Sequence, residues 1–142
     1  MNNSLTLWAK VLVEGRATGE ALVLAEPLSL WGGLNPETGE IIDRRHPQTG
    51  QIVTNRVLVL PSGRGSSSAS SILLEAVKQQ KAPAAIITLE TDGILALGAA
   101  VAHEMYDKAP AVLVLSPEAY GQMQTGQQVQ IELNGRITIS AS

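Results

Sequence analysis

The amino-acid sequence predicts an α/β fold, a single domain with parallel strands at the centre of its sheet and antiparallel strands from the two ends of the chain. Three observations support this prediction. Segments of strand composition come first and last, two strand–helix units follow each other in the middle, and a hairpin signal lies near the end. No repeat or linker divides the 142 residues, so residues 1–142 are expected to form one domain.

The first part of the chain combines two predicted strands with a long irregular segment. Residues 5–13 and 20–25 have strand composition, and residues 14–19 supply the turn between them. From 26 to 51, glycine, proline, asparagine and charged residues dominate, and a short strand at 40–43 interrupts them. An irregular segment of that length is uncommon inside a compact domain and is usually functional.

The first strand–helix unit begins with residues 57–60, a β-favouring apolar run that ends at a proline. A glycine- and serine-rich turn follows it. One buried helix face is then predicted, ending near 78–81, because apolar residues recur with helical spacing at Ala69, Ile72, Leu73 and Ala76.

The second unit begins with residues 84–89, which predict a buried strand. Asp92 is placed to cap a helix over 93–106. Apolar residues lie nearly all round this helix, so it is expected to be well buried.

The end of the chain predicts one more buried strand, a short helix and a hairpin. Residues 111–115 form the strand, and Ser116 followed by Pro117 is a favourable start for a helix that ends at Met123. Residues 129–133 and 136–139 then alternate around Asn134-Gly135, a strong signal for a two-stranded hairpin.

The composition excludes several classes of function. The chain has no cysteine, which removes disulfides, thiolate catalysis and cysteine-held metals, and which fits a reducing, cytoplasmic location. Its formal charge is −3 and its longest basic cluster is Arg44-Arg45-His46, so no nucleic-acid partner is expected. No stretch approaches the ~18 apolar residues of a membrane helix, residues 5–13 lack a basic leader, and no cluster has metal-ligand spacing.

The turn after the 57–60 strand is the strongest candidate for chemistry. Arg64 stands between Gly63 and Gly65, and three serines, Ser66, Ser67 and Ser68, lead into the helix. Glycines allow a tight path, a helix start favours anions, and an arginine pairs with carboxylate or phosphate. The turn is therefore predicted to hold an anionic substrate against a serine oxygen.

Other interpretations of this turn fit less well. A nucleophile elbow would need a glycine two residues after Ser66 or Ser67, and the third position of a dinucleotide turn is occupied by Ser68 instead of glycine. A Walker loop would need Gly-Lys-Ser/Thr. A flexible serine-rich linker is a poor fit at a strand–turn–helix junction.

Three features outside the turn have two interpretations each. His46 either binds substrate or caps the long segment, whereas His103 is expected to be a packed or surface helix residue. Trp31, followed by two glycines, either anchors a turn or lies close to a ligand or partner. Asp43-Arg44-Arg45 is either a salt-bridged base of the segment or an anion clamp.

Three stretches, residues 28–39, 41–47 and 63–68, resemble aconitase X, and more narrowly its small, swivel-domain subunit. The similarity extends over nearly the whole chain, including 82–87 and 94–98. One departure is Ala69, where many relatives are expected to have glycine, and it leaves the serines intact.

The resemblance implies a swivelling β/β/α domain that closes over a large subunit, in a heterodimer or a higher assembly. An iron–sulfur or iron centre is implied in that large subunit and none on this chain. The implied reaction is removal of water from a small hydroxy acid. The segment around residues 31–46 is then expected to lie at the subunit interface or the pocket mouth, through Trp31, Gly32, Gly33, Asn35, Asp43, Arg45 and His46.

The resemblance also implies a catalytic role for Ser66. In aconitases a Gly-x-Gly-Ser-Ser-Arg turn supplies a serine base, and residues 63–67 match its first five positions. Ser68 replaces the motif's arginine, so an arginine role is not transferable there and Arg64 is expected to compensate. Gly65, Ser67 and Ser68 are expected to bind substrate.

Two substrates are implied, a hydroxyproline in bacterial members and mevalonate 5-phosphate in archaeal ones. Charged residues make up only 16% and glutamine recurs, which is typical of a mesophile and favours cis-3-hydroxy-L-proline. Two other classes of function stay open: a non-catalytic anion-binding or regulatory module, and a stand-alone serine hydrolase, which the missing elbow disfavours.

Overall fold

A computed structural model describes residues 4–63 and 68–140. Its strands are β1 (Leu5–Trp8), β2 (Lys10–Val13), β3 (Ala17–Val23), β4 (Leu34–Asn35), β5 (Glu40–Ile41), β6 (Val57–Leu60), β7 (Ala85–Thr88), β8 (Ala111–Val114), β9 (Gln128–Ile131) and β10 (Arg136–Ser140). Its helices are α1 (Leu30–Gly33), α2 (Ser68–Lys78), α3 (Gly93–Met105) and α4 (Pro117–Tyr120). None of the helices in the described ranges is long and apolar enough to cross a membrane.

The main sheet has the order β1-β10-β9-β3-β6-β7-β8-β2. Strands β3, β6, β7 and β8 are parallel to one another, while β1, β2, β9 and β10 pair antiparallel. The predicted fold class, a parallel centre with antiparallel terminal strands, is confirmed.

The prediction of one continuous strand over 5–13 is wrong. The strand breaks at Ala9, whose N–H donates to the carbonyl of Gly135 at 2.9 Å. The two halves pair with β10 and β8, which lie far apart in the sheet order. Because a single residue joins the two ends of that order, the sheet must curl until its edges meet.

The predicted turn over 14–19 is also too long, since β3 already begins at Ala17. Its first half pairs antiparallel with β9 and its second half pairs parallel with β6. Gly19 lies inside the strand. A larger residue would not fit there, because a Cβ would come within 2.7 Å of the Asn55 carbonyl oxygen. The glycine therefore permits a close backbone approach and does not form a turn.

The two long helices pack on the same face of the sheet, against a core shared with the long irregular segment. Helix α2 buries Ala69, Leu73 and Ala76, as its spacing predicts, and Ile72 is partly buried. Helix α3 contacts α2 closely at Gly98, where a Cβ would lie 3.1 Å from Ser70.

The expectation that the second helix is well buried is wrong. Helix α3 buries one face, made of Leu95, Gly98, Ala99 and Ala102. Its opposite face is open, and Leu97 and Met105 are 58% and 57% exposed. Three of the four buried residues are small, which lets α2 approach closely at Gly98, whereas Leu95 packs into the core.

The predicted caps and hairpin are confirmed. Asp92 caps α3, and the Ser116 hydroxyl accepts a hydrogen bond from Ala119 N at the start of α4, which ends at Tyr120, earlier than expected. The hairpin of β9 and β10 turns at Gly135, which has φ +88°.

The long segment over 26–51 contains short elements of regular structure and contributes residues to the core. Its β4–β5 hairpin includes part of the predicted strand at 40–43, and Leu28, Leu30, Leu34 and Ile41 are buried in the core beside the long helices. Helix α1 is a single turn in which Trp31 and Gly32 leave helical geometry. The segment is therefore attached to the domain by its own apolar residues.

Candidate functional site

The chain that joins β6 to α2 leaves the sheet at the carboxyl end of the parallel strands, and it includes the sequence of the serine turn. This end of an α/β sheet is where such folds bind ligands. Gly63 is buried and α2 begins at Ser68. The predicted residues Arg64, Gly65, Ser66 and Ser67 lie outside the described residues, so their predicted roles stay predictions.

Asp92 connects this turn to the neighbouring helix. One oxygen of its carboxylate, Oδ1, accepts from the N–H groups of Ile94 and Leu95 at 3.1 and 3.0 Å, which caps α3. The other, Oδ2, accepts from Gly63 N–H at 2.9 Å. The same carboxylate therefore holds the first residue of the serine turn and occupies the start of α3.

This second role of Asp92 is absent from the sequence prediction, which finds only the cap. A signal for it exists, because Asp92 follows β7 and Gly63 follows β6. Neighbouring parallel strands end at the same edge, so polar groups just beyond them lie close together. A side chain at Gly63 would be blocked, since a Cβ would lie 2.8 Å from Asp92 Oδ2.

Two further contacts gather loops at this edge. The Pro61 carbonyl accepts from the N–H groups of Leu89 and Glu90, both at 3.2 Å. The N–H of Leu28 donates to the Ser62 carbonyl at 3.3 Å. The long segment therefore lies directly beside the start of the serine turn.

A cleft of about 470 Å³ opens in this long segment, and we call it the arginine cleft. It is lined by Glu26, Pro27, Ser29, Trp31, Gly32, Gly33, Asp43, Arg44, Arg45 and His46. Six of the seven residues predicted for an interface or pocket mouth therefore lie together. The seventh, Asn35, belongs to the β4–β5 turn, where its Oδ1 accepts from Glu37 N–H at 2.9 Å.

Trp31 does not anchor the turn, so that interpretation is wrong. Its side chain is 62% exposed, and the turn is instead stabilised by backbone geometry and by Ser29. The Ser29 hydroxyl donates to the Trp31 carbonyl at 3.2 Å, and Gly32 adopts φ +77°, which glycine reaches without strain. The indole is left available at the rim of the cleft.

His46 holds the long segment together. It is only 4% exposed, and its Nδ1 accepts from Gln48 N–H at 3.0 Å. Because Nδ1 accepts, the ring proton resides on Nε2, which donates to the Glu26 carbonyl at 3.0 Å. Both nitrogens are thus used inside the chain, which confirms the capping interpretation and leaves neither for a substrate. His103, as expected, is a surface helix residue, and its Nε2 lies 3.2 Å from the Pro110 carbonyl.

The interpretation of Asp43-Arg44-Arg45 as a salt-bridged base is wrong. Asp43 Oδ1 accepts from the backbone N–H of Arg45 at 3.0 Å. The ion pairs within residues 4–63 and 68–140 are Arg16–Glu132 and Arg56–Glu20. Neither Arg44 nor Arg45 pairs with a carboxylate there, so the anion-clamp interpretation stays a prediction.

Two other features lie outside the predicted site. A second cleft, of about 320 Å³, opens at the amino ends of the parallel strands, between Asn55, Pro83 and Lys108. The Tyr120 hydroxyl is buried and has no hydrogen-bond partner in the described part of the chain. Burial raises the pKa of Tyr120 above its ordinary value of 10.0.

The donor groups among the described residues do not fit an iron–sulfur or iron centre. There is no cysteine in the sequence. Across the described ranges, no three His, Asp or Glu side chains gather where they could hold a metal ion.

Comparison with known proteins shows that this chain is similar to aconitase X and to dehydratases. A model of the aconitase X swivel domain matches residues 6–139. The cis-3-hydroxy-L-proline dehydratase of Pseudomonas aeruginosa is 44% identical over 81% of this chain, and the phosphomevalonate dehydratase small subunit of Methanothermobacter thermautotrophicus is 36% identical over 87%. The chain spans 20% of the former protein and 90% of the latter.

Solved structures show the same similarity. Aconitase X from Thermococcus kodakaraensis, in its holo-form, superposes with a TM-score of 0.82 at 32% identity, over 95% of this chain and 98% of that one. A protein solved by solution NMR also superposes with a TM-score of 0.82 at 32% identity, over 94% and 97%.

Proposed function

Since this chain belongs to the aconitase X swivel-domain family, we propose that it is the small subunit of a two-subunit hydro-lyase and is active only with its large subunit. The observation that carries the proposal is the 36% identity, over 87% of this chain, to a protein that is itself a small subunit, the phosphomevalonate dehydratase small subunit of Methanothermobacter thermautotrophicus. The match covers 90% of that small subunit.

The proposed reaction is dehydration of cis-3-hydroxy-L-proline to a pyrroline carboxylate. Two observations support it: the 44% identity to the Pseudomonas aeruginosa enzyme, and a glutamine-rich composition with few charges, typical of a mesophile. Phosphomevalonate dehydration is the second candidate, favoured by the 36% identity, over 87% of this chain, to a small subunit with that name.

We propose Ser66 as the base in this reaction. Its alkoxide would take the proton from the carbon that bears the carboxylate. The electron pair of that C–H bond would form the new double bond, and the neighbouring hydroxyl would leave with a proton as water. Arg64 and the N–H groups at the start of α2 would stabilise the alkoxide, while Gly65, Ser67 and Ser68 would bind substrate.

Asp92 supports this proposal as a positioning residue. Its bond to Gly63 N–H ties the residue before Arg64 to the start of α3. A base must be held within hydrogen-bond reach of the proton that it removes. An anchored turn is therefore better suited to the role of Ser66 than a free one.

We assign the iron or iron–sulfur centre to the large subunit, because the donor groups among the described residues do not fit one. The centre would supply Lewis acidity for departure of the hydroxyl. The absence of cysteine also fits the proposed cytoplasmic location.

The test is to purify this chain alone and together with its large subunit, and to assay dehydration of both candidate substrates. Activity is expected only in the complex. Ser66→Ala should preserve assembly and lower kcat by ~10²-fold or more, because it removes the base. The matched variant Ser67→Ala should lower it less.

Full activity of the isolated chain would contradict the two-subunit proposal. Normal turnover in Ser66→Ala with collapse in Ser67→Ala would move the base by one residue. Turnover of mevalonate 5-phosphate, with none of hydroxyproline, would select the second substrate. Binding of an anion without any turnover, even beside the large subunit, would favour a non-catalytic module.

A further inference from the structure

The arginine cleft has an unusual arrangement of charge. Two arginines and two carboxylates line it, namely Arg44, Arg45, Glu26 and Asp43. Opposite charges that share a small cleft commonly pair, yet none of these four forms an ion pair with another described residue. The two arginines and two carboxylates balance each other, so their summed formal charge is zero.

We propose that the arginine cleft is the subsite for a zwitterionic cyclic amino acid, which rests on the function proposed above. The guanidinium groups of Arg44 and Arg45 bind the carboxylate, and Glu26 and Asp43 bind the ring ammonium. Each charged group thereby gains a partner that the described chain does not provide.

Trp31 adds a surface for the ring itself. Its indole is exposed at the rim of the cleft, beside Gly32, where a Cβ would meet no other atom within 4 Å. A pyrrolidinium ring on that face combines apolar contact with a cation–π interaction. The segment that carries the cleft is hydrogen-bonded to Ser62, just before Gly63, through the N–H of Leu28.

The same charges discriminate against the alternative substrate. A molecule with a carboxylate and a phosphate carries two to three negative charges and no positive one. Glu26 and Asp43 would repel it, and this like-charge cost offsets the attraction of the two arginines. The cleft therefore selects an amino acid over a phosphorylated hydroxy acid.

Kinetics of the assembled enzyme test the subsite. The double variants Arg44→Gln/Arg45→Gln and Glu26→Gln/Asp43→Asn should each raise KM for cis-3-hydroxy-L-proline by ~10-fold to 100-fold, with kcat changed less than about threefold, since charge-assisted bonds contribute to substrate binding. Arg16→Gln is the matched control, because Arg16 is exposed and pairs with Glu132 at the other end of β3. Unchanged KM in both double variants of an active enzyme would overturn the proposal.

A binding experiment separates this proposal from the proposed function. In the ¹⁵N-labelled full chain, L-proline should shift the amide signals of residues 31–33 and 43–46. Tetrahydrofuran-2-carboxylate, which lacks the amine, and inorganic phosphate should bind at least ~10-fold more weakly. Equal binding of either probe, or proline shifts outside these residues, would refute the subsite. A wild-type complex inert toward hydroxyproline would contradict only the proposed function.

Discussion

Replacing Asp92 with alanine is expected to cost more stability than the loss of a helix cap alone. The cap contributes about 1 kcal/mol through the two N–H groups of α3. The third bond holds Gly63 N–H, which is buried and would be left without an acceptor at a cost of about 1–3 kcal/mol. The sum is roughly 2–4 kcal/mol of unfolding free energy.

Urea unfolding of the full chain, followed by circular dichroism, measures this loss. Asp92→Ser separates the two contributions, because serine keeps the cap but is too short to reach Gly63. It should lose only the second part. Ser116→Ala is the matched control, since that hydroxyl caps a short exposed helix and holds no other segment.

The same variants should affect turnover of the assembled enzyme if Asp92 positions the serine turn. Asp92→Ser is expected to lower kcat at least ~10-fold while KM changes little, whereas Ser116→Ala should leave both unchanged. A stability loss under about 0.5 kcal/mol in Asp92→Ala, or normal kcat in Asp92→Ser, would refute the reasoning.

Three further predictions concern groups that hold the domain together. His46→Ala should lower the unfolding free energy by roughly 2–4 kcal/mol in urea titrations, because it leaves two backbone groups without partners and a buried gap; a loss below 1 kcal/mol would contradict the capping role. Gly39→Ala should destabilise more than Gly50→Ala, because both have positive φ but only at Gly39 would a Cβ collide with the Thr54 hydroxyl; equal losses would exclude that contact. Tyr120→Phe should be as stable as the parent or more stable near neutral pH, since the lost hydroxyl is buried without a partner among the described residues. Because burial raises the pKa of Tyr120, the folded state disfavours the ionised phenolate and stability is lost as pH rises above 10. The variant cannot ionise there, so it should lose less stability between pH 8 and 11.

Much of the candidate site could be predicted from residue types alone. The glycine–serine turn between a strand and a helix marks the carboxyl edge of the sheet, and the long segment lies beside it through Leu28 and Ser62. The choice between interpretations could not be made that way. His46 is a cap because its ring bonds the backbone of Glu26 and of Gln48, which lie near the two ends of the 26–51 segment.

The features that the sequence did not predict depend on partners that are distant in the chain. The bond from Gly63 to Asp92 spans 29 residues. The outward face of α3 follows from how closely α2 approaches at Gly98. Neither is visible in a window of about 11–18 residues, which is the range over which hydrophobic periodicity is read.

The sequence by itself determined the elements whose causes are local: the buried face of α2, the caps at Asp92 and Ser116, and the hairpin at Asn134-Gly135. Each depends on residues no more than a few positions apart, so spacing and residue type suffice. Tertiary structure alone decided the break at Ala9, the early start of β3 and the position of Glu26 beside Asp43, Arg44 and Arg45 in the arginine cleft. These arise when the curled sheet brings its edges and loops together, because strand pairing and side-chain proximity depend on residues far apart in the chain.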